Sequence, residues 1–275
     1  MDLNASGYRA AIFSYATDDN SSVGQLELKV IPGILDRNFN VKTNGKYEHQ
    51  FIYMPVINPA TGRVWLNNNL GAEYANANNP NGNFNPTQQA TASNDYKAYG
   101  SLFQWGRKAD GHELINWESA SKGTPIHSGT TQTQYDNPSH SSFITSPKNN
   151  WRATLDETLW ASESSPNNVC PVGYRLPLDP NGAEDSLNEF NAERKTWNSQ
   201  NAAGALASNL RLTIPGYRWW DGTIYIERST KYWTGTHNSR DQNGAYSYAF
   251  ELGANIAQGG NSNPSSGSSV RCIKD

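Results

Sequence analysis

Apolar residues in this chain come only in short stretches, several of which alternate with period two. Tyr8-Arg9-Ala10-Ala11-Ile12-Phe13, Gln25-Leu26-Glu27-Leu28-Lys29-Val30-Ile31 and Gln50-Phe51-Ile52-Tyr53 are bounded by Asn, Gly and Pro. Successive strand side chains point to opposite faces, so this pattern predicts strands. Nothing approaches the run of about 20 apolar residues needed to cross a bilayer. Only 36% of residues are hydrophobic, yet 9 Trp, 14 Tyr and 8 Phe are present, and disordered chains lack such aromatics. Charged residues make up 17%, below the roughly 25% usual for soluble domains; Asn, Gly, Ser and Thr supply the missing polarity. A compact, loop-rich protein follows, in which each aromatic buries a large area. A net charge of −3 with dispersed Lys and Arg carries no nucleic-acid footprint.

The 275 residues suit one large domain with or without an appendage. Residues 1–54 read as an N-terminal β segment or the tail of a preceding domain, with Ile31–Asp36 as a connector, and residues 55–275 as the main domain. Arg63-Val64-Trp65-Leu66 is a further strand, followed by an Asn-rich loop over 74–95. Tyr96–Trp105 is helical or buried, and 116–150 is Ser/Thr/Asn/Pro-rich with little periodicity. A helix follows Pro180-Asn181-Gly182, with Asp185 or Ser186 as its cap. Leu187, Phe190, Arg194 and Trp197 fall on one face of it. Asn201–Leu206 forms a second short helix. Strands dominate from Leu210: Arg211–Ile214, Thr223–Ile226, Tyr232–Thr234, Tyr246–Leu252 and Val270–Ile273. Asp221-Gly222 and Gly259-Gly260 are the turn signals between them. The expected class is α+β and loop-rich, with two helices, short mostly antiparallel strands, and the first and last strands of the domain as neighbours.

Catalytic signatures are missing. No two of His49, His112, His127, His140 and His237 lie within five residues, and each reads as an exposed loop residue, His237 as a contact residue. Neither a His-Glu-x-x-His helix nor a Gly-x-Ser-x-Gly elbow occurs. Asp179–Asp185 fails as a calcium loop, since Glu184 stands where the turn needs Gly and Phe190 where a bidentate Glu belongs. No phosphate cradle or dinucleotide fingerprint is present, so no catalytic residue, metal or cofactor is expected. Cys170 and Cys272, about a hundred residues apart, exclude a Cys-x-x-Cys motif. Two buried thiols and one long-range disulfide both fit, the disulfide in an oxidising compartment. Residues 1–20 lack a signal-peptide layout; for an exported protein, either Met1 marks an expression start or the signal lies upstream.

Four ordered blocks carry a resemblance. They are Arg63-Val64-Trp65-Leu66-Asn67-Asn68-Asn69-Leu70-Gly71, Tyr99-Gly100-Ser101-Leu102-Phe103-Gln104-Trp105-Gly106-Arg107 and Cys170-Pro171-Val172-Gly173-Tyr174-Arg175-Leu176-Pro177. The fourth runs from Pro215-Gly216-Tyr217-Arg218 through Tyr232-Trp233-Thr234-Gly235 to Ser269-Val270-Arg271-Cys272. Together they resemble the Fibrobacter-succinogenes-major-paralogous domain of Bacteroidota surface proteins, over about residues 55–275. The resemblance implies a C-type-lectin-like fold and an exported, adhesin- or receptor-like protein at the cell surface. Relatives of that family include variable proteins diversified by retroelements near the C-terminus. Pro215–Arg218, Tyr232–Gly235 and Val270–Cys272 then look like frame. Between them Trp219, Trp220, Tyr225, Glu227, Arg228, His237, Asn238, Arg240, Asn243, Tyr246 and Tyr248 form the expected binding set, a paratope-like mixture of aromatic and polar groups. One of the adjacent Trp219 and Trp220 should be exposed. Partners implied are a protein or glycan on another cell, phage or host surface, or a pilus or other surface assembly.

Two alternatives come with the same family. Formylglycine-generating enzymes need a redox-active cysteine pair close to the C-terminus, and only Cys272 is near that end. Calcium-dependent lectins carry Glu-Pro-Asn or Gln-Pro-Asp and then Trp-Asn-Asp, none of which occurs here. A structural pilus or surface subunit remains as the second reading. Cys170 and Cys272 match structural positions, and the expectation is that they are linked.

Overall fold

A computed structural model describes residues 9–19, 21–30, 33–79, 84–146, 150–180, 188–226, 229–238 and 246–275. It has the expected mixed α+β, strand-rich class. β1 (Arg9–Ala16) and β2 (Val23–Val30) form an antiparallel hairpin whose side chains from Ile12 to Asp19 are exposed. β3 (Ile34–Leu35) is followed by the small hairpin of β4 (Lys42–Thr43) and β5 (Lys46–Tyr47), and pairs with β6 (Ile52–Tyr53). β7 (Pro55–Ile57) turns into β8 (Val64–Leu66). Two 3-10 turns, Glu73–Ala75 and Tyr96–Ala98, precede β9 (Phe103–Gln104). β10 (Ile115–Ser119) and β11 (Lys122–Pro125) make a hairpin; β12 (Thr130–Thr131) and β13 (Phe143–Ile144) pair in parallel. After β14 (Tyr174–Arg175) come α1 (Glu189–Arg194) and α2 (Ala202–Ala207). The last strands are β15 (Tyr217–Arg218), β16 (Ile224–Tyr225), β17 (Ser229–His237), β18 (Ser247–Gly253), β19 (Ile256–Ser262), β20 (Gly267–Ser268) and β21 (Ile273–Lys274).

Three sheets organise the body, in the orders β14-β21-β8-β7, β16-β15-β20-β9 and β17-β18-β19. The last strand lies against the first strands of the expected domain, with Ile273 opposite Trp65. Adjacent strand residues point to opposite faces, and here both faces are covered. Leu66, Trp233, Ala249 and Cys272 enter one apolar cluster with Trp105 and Trp160. Their neighbours Trp65, Tyr232, Phe250 and Ile273 enter a second, with Phe190 and Trp197 from the helical segment. The strands therefore divide two cores, which is why their sequences are apolar at successive positions rather than alternating. Ile34, Phe51 and Tyr53 pack in or against the first core, so the segment over 34–53 is part of the same packed body.

Long loops are held by buried polar side chains. Trp105, Trp151, Trp160 and Trp233 donate their indole N–H to the carbonyls of Thr234, Trp105, Asn167 and Phe103 at 2.7–2.8 Å. The run Asn67-Asn68-Asn69 does the same with amides: Asn67 and Asn68 reach Pro86 O and Gln88 O, ordering the Asn-rich loop, and Asn69 reaches Tyr99 O. Buried polar groups must be satisfied, and here the loop carbonyls are what satisfies them. Cys170 and Cys272 are joined by a disulfide inside the first core.

Several elements differ from the sequence expectation. α1 is capped by Asn188, whose side chain accepts from Asn191 N at 3.0 Å; Asp185, Ser186 and Leu187 lie outside the described residues. Phe190, Arg194 and Trp197 are buried together, as their spacing implied. Arg211–Ile214 is not a strand, because Arg211 adopts a φ of 45° that breaks an extended run. Gly259-Gly260 lies within β19, and the turn falls at Ala254–Asn255. Strand pairing at the C-terminus is confined to Ile273–Lys274 after Val270–Cys272, whose carbonyls at 270 and 272 are bound by Leu70 N and Leu66 N. Tyr96–Trp105 is a 3-10 turn followed by a buried strand.

Candidate ligand-binding face

The hairpin β15–β16 brings three aromatic rings together. Gly216 starts it with a φ of 76°, and a Cβ there would meet Tyr225 O at 1.9 Å, so only glycine permits this entry. Trp219 N donates to Thr223 O and Gly222 N to Trp219 O, closing the tight turn signalled by Asp221-Gly222. Tyr217 and Trp219, two apart, share a face, with ring centroids 5.6 Å apart; Tyr225, opposite Tyr217 in register, stacks on it at 5.8 Å. All three are half-buried, as is Trp220 at the turn. The alternate residue, Arg218, points the other way and is buried. Its guanidinium lies 4.0 Å from the Phe143 ring centroid and donates to Gly222 O and His112 O. Burial, with Arg107 nearby, pushes it down to about 10. The hairpin thus has one anchored face and one face of clustered aromatics.

The remaining expected contact residues divide. Tyr246 is exposed. His237, Asn238 and Tyr248 are buried, which corrects their assignment to a binding surface. The cause is coverage of β17 and β18 on both faces: His237 packs on the Trp105 ring at 5.5 Å and meets Ser247 Oγ at 3.1 Å, while Asn238 donates to Asn261. Glu227, Arg228, Arg240 and Asn243 lie outside the described residues. Tyr217, expected to be frame, instead belongs to the aromatic face. Its position two residues before Trp219 on a strand was the available signal.

Histidines are the larger correction, for His49 and His112 are buried rather than exposed in loops. His49 sits between Asp36 Oδ1 at 3.6 Å and Glu113 Oε1 at 3.3 Å. Burial by itself pulls its pKa down, but the adjacent carboxylates of Glu113 and Asp36 raise it to about 9. Burial raises Glu113, and the adjacent imidazoles of His112 and His49 outweigh this and hold it well below the usual carboxylate range. Burial dominates at Asp36, which rises to about 6 despite His49. Asp110, His112 and Glu113 place donor atoms within 4.8 Å of one another. However, Gln104 N donates to His112 Nε2 at 3.0 Å, so Nδ1 carries the proton toward Asp110 and Glu113. As folded, the set is a hydrogen-bonded clasp, with Nδ1 engaged as a donor rather than open to a cation.

Comparison with protein-family models, with curated proteins and with solved structures finds no match to this chain.

Proposed function

We propose that this protein is a ligand-binding surface protein, an exported C-type-lectin-like scaffold that recognises a protein or glycan through its C-terminal face. The observation that carries this reading is the contact cluster of Tyr217, Trp219 and Tyr225 on a hairpin whose reverse face is locked by Arg218. Rigid aromatic groups supply contact area at low entropic cost, and such residues dominate binding hot spots. The lectin-like fold is supported by the four blocks, by the pairing of β21 with β8, and by the Cys170–Cys272 link. That link also leaves the chain without a free thiol, which disfavours formylglycine-type chemistry.

Fluorescently labelled protein, applied to bacterial and host cells, tests the reading by flow cytometry. The triple variant Tyr217→Ala/Trp219→Ala/Tyr225→Ala is expected to lose binding about tenfold or more, with a thermal midpoint within about 3 °C of the parent. A collapse of stability equal to the loss of binding would place the rings in the core and overturn the assignment. Retroelement diversification predicts a nearby template repeat that differs from the 3′ coding region mainly at adenines; a locus without one refutes it. A second reading, a subunit of a surface assembly, draws on the β1–β2 hairpin, where Ile12, Phe13, Tyr15 and Val23 are exposed.

A further inference from the structure

Among the described residues, β1 and β2 form a sheet of their own, and none of their residues belongs to either apolar cluster. Ile12, Phe13, Tyr15 and Val23 are each more than half exposed. A two-stranded ribbon left in water is marginally stable at best, whereas three or more strands with an apolar face hold together. The outer edge of β2 has no strand partner among the described residues. Free N–H and C=O groups along such an edge are a template for pairing with another chain.

The residues of β2 select a second copy of the same strand. Gln25-Leu26-Glu27-Leu28-Lys29-Val30 alternates polar with apolar positions and carries one acid and one base, two positions apart. Within the hairpin Ile12 stands opposite Glu27 and Ala10 opposite Lys29, so neither has a charged residue directly across from it in β1. Outward-facing backbone groups alternate along a strand, so β2 can pair antiparallel with its own copy about a residue but not between two. A two-fold axis at Leu28 sets Glu27 of each copy opposite Lys29 of the other, with Leu26 opposite Val30. An axis at Glu27 or Lys29 instead sets like charges directly opposite each other, which destabilises. We infer that this chain forms a homodimer through the edge of β2, in the strand order β1-β2-β2-β1, with the two Glu27–Lys29 pairs fixing its register. Phe13, opposite Leu26, and Tyr15 then share one face of a four-stranded sheet with positions 26, 28 and 30 of both copies. This surface uses no residue of the proposed ligand-binding face and stands independently of that reading.

Sedimentation velocity on the full chain, from low to high micromolar, tests this. The expected result is a reversible dimer that weakens with added salt. Glu27→Lys puts like charges in both cross-strand pairs, and Lys29→Glu does the same, so either alone should weaken the dimer about tenfold. Glu27→Lys/Lys29→Glu exchanges the charges and should restore the parent's affinity. Leu28→Cys places a thiol on the axis, in a chain whose two native cysteines are bonded to each other. Mild oxidation should therefore link it into a covalent dimer. Gln25→Cys, about 20 Å from its counterpart in that register, should stay unlinked. Tyr217→Ala/Trp219→Ala/Tyr225→Ala should dimerise as the parent does, which separates this contact from ligand binding. A chain that stays monomeric at high micromolar overturns the inference. So does a dimer indifferent to the charge exchanges but lost in Phe13→Ala/Tyr15→Ala, which would move the contact to the apolar face, or equal cross-linking through Gln25→Cys and Leu28→Cys.

Discussion

Arg271 is fully buried and, among the described residues, has no carboxylate partner. Its guanidinium donates to Asn69 Oδ1 through two nitrogens, at 3.0 and 2.8 Å, and to the carbonyls of Leu66 and Leu210. Burial pushes it down to about 10, still charged at neutral pH. Asn69 in turn donates to Tyr99 O and lies 3.3 Å from Tyr232 Oη, so one arginine ties the terminal segment to β8, the loop after α2 and β17. Lysine presents its donors from a single point and cannot reproduce this fork. Arg271→Lys is therefore expected to destabilise by about 2–4 kcal/mol, read as a lower urea midpoint at unchanged m-value. The residue type was visible in the Val270-Arg271-Cys272 block; its acceptors, 61 to 205 positions earlier in the chain, were not.

At the scale of elements, the closing strand is secured twice, by its pairing with β8 and β14 and by the disulfide over a separation of 102 residues. In the chain-entropy account, a loop of that length restricts the unfolded state by about 4–5 kcal/mol. Cys170→Ser/Cys272→Ser should lower stability by that order in chemical denaturation, and non-reducing mass spectrometry of the parent should find the two cysteines linked. Two freely alkylated thiols would refute the link. The helices illustrate what local reading can do. The second short helix, expected over Asn201–Leu206, is α2, with Asn201 as its cap accepting from Ala203 N and Gly204 N, whereas α1 begins later than expected, on Asn188. Either Asx or Ser can accept a first-turn N–H; the choice among neighbouring candidates is made by where Phe190 must sit in the second core.

The whole molecule carries a pH dependence through the buried ionic group of Asp36, His49 and Glu113, which ties the 34–53 segment to the loop before β10. His49, raised to about 9, adds stability that is complete below its unfolded pKa of roughly 6.5 and is lost as pH climbs from there through 9. Glu113, held low, adds stability above about 4.5 that is lost as pH falls. Asp36, raised to about 6, costs stability as pH rises from about 4 through 6. Thermal melts should show a maximum in mildly acidic buffer and a decline between about pH 6.5 and 9. His49→Gln should flatten the alkaline decline; an unchanged slope would exclude His49 and its carboxylate neighbours as its cause.

Spacing along the chain determined what local covalent geometry controls: short strands, mostly antiparallel pairing, the turn at Asp221-Gly222, and the buried helical positions Phe190 and Arg194. Only the tertiary structure decided which strand faces are covered, and so it moved His237 and Tyr248 inward and brought Tyr217 out. It alone set His49 against Glu113. The physical reason is that periodicity records where a side chain points relative to its neighbours. Burial depends on what the rest of the chain, a hundred or more residues away, packs against it.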